Sequence, residues 1–178
     1  ALGIFSAKNE LAIFTAAQKI VFALQGLFTP LSSAVFPKSS RLAKDDKAAH
    51  AAFVFRFWIL SVALFFVFGA ILFIFADEIV LFAFGAGFAK SGEILRIMAF
   101  GPMFVAASIV ASNHYIIAIG KAPALKKIYI SVAVFATAAS VFLCSFFGAV
   151  GGGYLYLGVE AAVCALLGYA SISMRQRA

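Results

Sequence analysis

The chain has 178 residues, is 65% apolar, 16% aromatic and 12% charged, and has a mean hydropathy of +1.08 and a net charge of +7. Soluble domains run at about 45–50% apolar and about 25% charged, and a single core of this size has no room for 22 phenylalanines. An ordinary water-soluble globule is therefore excluded, as are disordered and collagenous chains, and lipid is the solvent that the remaining apolar surface needs. The chain opens Ala1-Leu2-Gly3 without the basic and short apolar regions of a leader, so it reads either as a processed chain or as a fragment of a longer protein, the second being the expectation.

Crossing roughly 30 Å of hydrocarbon takes about 20 helical residues at about 1.5 Å each. Five segments meet that length in chain order: 11–36, 57–76, 97–119, 128–147 and 154–174. The fold class expected is all-α, a polytopic transmembrane helical bundle of five spans, and residues 1–178 read as a single transmembrane domain. The first span is the most polar. On a helical wheel Thr15, Gln18, Lys19, Gln25, Thr29, Ser32 and Ser33 fall within an arc of about 140°, opposite Ile13, Ile20, Leu24, Leu27 and Leu31. Pro30 removes a backbone hydrogen bond and is expected to bend this helix. Between the second and third spans, residues 79–84 are expected to run along the interface, with Gly85-Ala86-Gly87 breaking the helix.

The connectors alternate in basic content. Lys38, Arg41, Lys44 and Lys47 follow the first span, Lys121, Lys126 and Lys127 the third, and Arg175 and Arg177 the fifth. The opposite connectors hold Lys8, Lys90 and Arg96, and the 148–153 turn holds none. Nine against three is a positive-inside pattern. It puts the N-terminus outside and the C-terminus in the cytoplasm, and it reads the net charge as membrane orientation, not as nucleic-acid binding. The 38–47 loop also suits anionic lipid headgroups as partners.

No catalytic residue and no metal or cofactor site is expected. Gly120-Lys121 lacks the rest of a phosphate loop, Gly85-Ala86-Gly87 lacks the third glycine of a dinucleotide fingerprint, and His50 and His114 have no metal-ligand spacing. Cys144 and Cys164 lie in apolar runs and read as packing residues. What stands out is charge within the spans. Lys19 lies about 12 Å and Glu160 about 9 Å below the outer end of their spans. Lys19 is either a substrate-facing charge in a wet cavity or a snorkelling or paired lysine. Because pairing lowers the cost of burying both charges, Lys19 and Glu160 are expected to approach each other or to line one cavity. His114 is either an ion-coupling group or a histidine satisfied by a neighbour. In the fourth span Ala133, Ala136, Thr137, Ser140 and Cys144 read as a close-packing face.

The stretch Ile13-Phe14-Thr15-Ala16-Ala17-Gln18-Lys19-Ile20, with Thr29-Pro30-Leu31 and Phe36-Pro37-Lys38-Ser39-Ser40-Arg41-Leu42, resembles the bacterial polysaccharide exporters, the O-antigen-type flippases. Leu81-Phe82-Ala83-Phe84-Gly85, followed by Phe88, Ser91, Ile94-Leu95-Arg96-Ile97-Met98-Ala99 and Pro102, extends the resemblance. It implies part of the second lobe of a two-lobe transporter in the bacterial cytoplasmic (inner) membrane. It also implies a flippase that moves a lipid-linked oligosaccharide by alternating access, acting with polysaccharide-assembly proteins and without enzymatic activity. On that resemblance Lys19 faces a lipid-linked sugar pyrophosphate, while Gln18, Gln25 and Thr29 offer hydrogen bonds to sugar or phosphate. Glu160 joins the same cavity. The alternatives are a drug/cation or lipid II exporter of the same superfamily, and a non-transporting membrane scaffold.

Overall fold

The computed structural model describes residues 8–176, with side chains from Asn9 onward. Arg177, counted above among the basic residues, and the side chain of Lys8 lie outside the described residues. The helices are α1 (Lys8–Gly26), α2 (Phe28–Asp45), α3 (Lys47–Ile74), α4 (Ala76–Phe84), α5 (Ser91–Met98) and α6 (Gly101–Ile109). A π-helical segment, Val110–Ile117, continues α6, and a last helical stretch covers Pro123–Gln176.

Four of these helical arms are long and apolar enough to cross a membrane. The last of them supplies two crossings. Gly148, at φ 53° and ψ −132°, interrupts it. In an unbroken helix Val132 and Val163 would stand roughly 45 Å apart. Instead they share one apolar cluster with Leu125 and Leu167. The stretch therefore doubles back into α7 (123–147) and α8 (149–176), and the protein is a five-span helical membrane bundle, as its sequence predicts.

The span limits differ from the hydropathy reading in a physically simple way. Helix α3 begins at Lys47, ten residues before the apolar run at 57, because Asp46 caps it by accepting from the amides of Ala48 and Ala49, both at 2.9 Å. Likewise α2 continues past residue 36 to Asp45, and the polar 38–45 segment is helix rather than loop. Hydropathy marks what lies in hydrocarbon, whereas capping marks where a helix starts. The first span breaks at Leu27, whose amide reaches back only to Leu24. The break adjoins Gly26, the carbonyl that Pro30 leaves without its amide partner. Beyond α3, α4 ends at Gly85, at φ 81°, and a short 3-10 turn, Ala86–Phe88, follows. Phe82 on α4 is 95% exposed, as suits a helix lying along the interface.

The Ser91–Ile117 arm is the hub. Of its apolar stretch 61% is buried, against 22% or less in the other arms. Small residues let neighbours approach it: Ala106 and Val110 pack with Phe28, Val54 and Phe65, while a Cβ on Gly69 would stand 2.9 Å from the carbonyl of Ala99. The bundle has two chemically distinct ends. At one end Glu10 accepts from the amide of Ala149 at 3.1 Å, Arg96 pairs with Asp77 at 2.6 Å, and Ser91 donates to the carbonyl of Ile13. At the other end Lys47, Lys121 and Arg175 line a single cavity.

Candidate functional site

The polar arc of the first span does not act as one surface. Burial splits it lengthwise. Ser32 is buried and Gln25 half-buried, both turned into the bundle, whereas Lys19, Thr29 and Ser33 are exposed. Gln18 lies between the two sets. Each residue step turns a helix by about 100°, so Gln18 and Lys19 cannot share a direction even though they adjoin in sequence.

A cavity of about 440 Å³ opens between α1, α7 and α8. Thr15 and Gln18 line it from α1, Ser140 and Cys144 from α7, and Tyr156 from α8. Deeper in the bundle Gln25 donates from Nε2 to the hydroxyl of Tyr156. The same phenol ring fills the space beside Gly101, where a Cβ would stand 2.2 Å from it. Three spans thus meet at one node: an amide from the first, a missing side chain in the third, and a phenol in the fifth. Tyr156 is not among the residues that the sequence singles out, so this node is missed there. Its signal in sequence is faint, a glycine before Pro102 with nothing to show which aromatic group fills the gap.

Lys19 is elsewhere. It lines a groove with Thr15, Phe84 and Phe88, on the side of α1 that faces the end of α4. Glu160 is half-buried in α8, one turn beyond Tyr156. The two form no ion pair among the described residues, where the pair found is Arg96–Asp77. The expected pairing of Lys19 with Glu160 does not form, and Glu160 is not among the residues lining the Lys19 groove. Similar depth in the membrane was its only basis, and depth says nothing about which way a side chain leaves its helix.

A second polar cluster ties the basic half of the bundle together. His114, in the π-helical segment, is fully buried, and its Nε2 lies 2.9 Å from the hydroxyl of Ser32. The carbonyl of His114 accepts from Ser39 Oγ and from His50 Nε2, both at 2.8 Å. His50 stacks on Tyr115 with the ring planes 11° apart, and Phe57 sets its ring nearly edge-on to His114. The π turns shift the backbone ladder out of α register, which leaves the carbonyl open to side chains. The two histidines that sequence spacing kept apart are therefore neighbours. What joins them is the backbone carbonyl of His114, which accepts from His50.

Comparison with known proteins gives the bundle its kin. The family described as "Polysaccharide biosynthesis protein" matches residues 2–93, just over half of the chain. The chain belongs to this family. The match covers the polar first span, α3, α4 and the start of α5, and with them most of the stretches that carry the resemblance to the polysaccharide exporters, those up to Ser91. A protein named as a putative O-antigen transporter from Shigella dysenteriae is 29% identical over 134 residues, covering 75% of this chain. Family membership and the apolar helices together make this a multi-pass membrane protein of polysaccharide biosynthesis. The chain spans about a third of the length of that relative, 33%. No solved structure gives a significant match.

Proposed function

We propose that this chain is part of a transporter, not an enzyme, that moves a lipid-linked oligosaccharide across the bacterial inner membrane by alternating access of two lobes. The 178 residues form part of the second lobe, and the orientation follows the basic connectors, with 38–47 and the C-terminal end in the cytoplasm. The observation that carries this reading is the exposed half of the polar stripe. Lys19, Thr29 and Ser33 leave the first membrane span on its exposed side, among Phe22, Leu27 and Leu31. An intramembrane lysine needs water or a partner, and a cavity shared with another lobe supplies both.

In this reading Lys19 attracts the pyrophosphate, and Thr29, about 15 Å further along the same span, offers a hydrogen bond to sugar or phosphate. Gln18 on the adjoining cavity, and Gln25 bonded to Tyr156 behind it, offer amides to sugar or phosphate, and Glu160 is the acidic candidate of the same region. Polysaccharide-assembly proteins supply the substrate and take the product. For His114, complete burial and its bond to Ser32 favour a structural tie over ion coupling.

The test is Lys19→Ala in the full-length protein, scored for export of the sugar polymer and for membrane abundance. Lost export at normal abundance, recovered by Lys19→Arg, supports a substrate-facing charge. Normal export overturns that role, and a fall in abundance alone favours the scaffold reading.

A further inference from the structure

Two cavities outside the polar first span meet at the basic end of the bundle. The first, of about 670 Å³, is lined by Lys47, Lys121 and Arg175, with His50 and Tyr115 behind them. The three cations come from the start of α3, from the loop after the π-helical segment and from the last turn of α8. All three are exposed, and neither Asp nor Glu lines the space. The carboxylate of nearby Asp46 is engaged by the amides of Ala48 and Ala49. The second cavity, of about 250 Å³, runs towards the middle of the spans between Val54 and Trp58 on α3, Ala107 on α6, and Gly168 and Ile172 on α8. Ala51, Phe55, Tyr115 and Arg175 line both, so the two form one groove with a cationic mouth and an apolar trough.

Three cations gathered without an acidic neighbour repel one another unless an anion sits among them. An apolar trough within the membrane takes hydrocarbon. An anionic head joined to a hydrocarbon tail satisfies both at once, and a phosphate-bearing lipid has that form. We propose that the groove holds an anionic glycerophospholipid of the bilayer, with its phosphate among Lys47, Lys121 and Arg175 and an acyl chain along Trp58 and Gly168.

A bilayer lipid fits better than the transported one because Gln18, Lys19, Gln25 and Thr29 line neither cavity. The groove lies on the flank made by α3, α6 and α8. Such a lipid clamps the ends of the second, third and fifth spans to one another. The leaflet concerned follows from the orientation proposed above, but the site itself does not depend on it.

The test uses the full-length protein, delipidated in a neutral detergent and then offered phosphatidylglycerol or phosphatidylcholine, with bound lipid counted by native mass spectrometry. Wild type is expected to retain phosphatidylglycerol about tenfold or more over phosphatidylcholine. The combined Lys47→Gln, Lys121→Gln and Arg175→Gln variant should lose that preference. Because a Cβ at Gly168 meets nothing within 4 Å, Gly168→Leu fills the trough without disturbing the fold and should lower retention with the cations intact. Equal retention of the two lipids by wild type, or unchanged retention in both variants, overturns the site. Displacement of phosphatidylglycerol by equimolar polyisoprenyl phosphate overturns the choice of occupant and makes the groove a loading site for the transported lipid.

Discussion

The His114 ring has one nitrogen bonded to Ser32 and one, Nδ1, with no partner, and both are sealed from solvent. A buried N–H without an acceptor costs more than a buried acceptor without a donor, so the neutral ring carries its proton on Nε2 and donates it to Ser32 Oγ. Ser32→Ala leaves that N–H stranded among aromatic rings. The expected loss is about 1–3 kcal/mol, read as a lower thermal midpoint in detergent. Ser33→Ala, one residue on and exposed, should stay within about 0.5 kcal/mol of wild type. The two serines look alike in sequence. They differ only because one step around the helix separates a buried direction from an exposed one.

Turns and breaks decide how the helices become a bundle. Gly148 makes the reversal between α7 and α8 at a φ and ψ that side-chain-bearing residues avoid, and the carboxylate of Glu10 occupies the place where its Cβ would project. That carboxylate accepts from the amide of Ala149, at the positive N-terminal end of α8. Gly148→Ala is therefore expected to strain the turn and expel Glu10 together, at about 1–3 kcal/mol. Glu10→Gln keeps an acceptor oxygen but loses the charge, and should cost about 0.3–1 kcal/mol. Thermal unfolding of both variants in the same detergent checks the order, and an equal or larger loss for Glu10→Gln would contradict it. The glycine-rich stretch at 148–153 marks a turn in the sequence, whereas the side chain that packs into it comes from the other end of the chain.

For the molecule as a whole, the proposed orientation predicts which side of the membrane each connector meets. With Cys144 and Cys164 replaced by alanine, a single cysteine at exposed position 44 should be protected from an impermeant maleimide in intact cells, and one at exposed position 87 should be labelled. The reverse pattern would invert the topology. Composition alone required a membrane, and hydropathy gave five spans. The spaced residues from Ile13 to Leu42 and from Leu81 to Pro102 carried the family. These properties were legible because each depends on local sequence: the length of an apolar run, the residues on one stretch of helix. Tertiary structure decided the rest. It left Lys19 and Glu160 without an ion pair among the described residues, joined Gln25 to Tyr156 across Gly101, set His50 beside the carbonyl of His114, and gathered Lys47, Lys121 and Arg175 around one groove. Those placements depend on the rotation of each helix about its own axis, which packing against the central Ser91–Ile117 arm sets and no single span records.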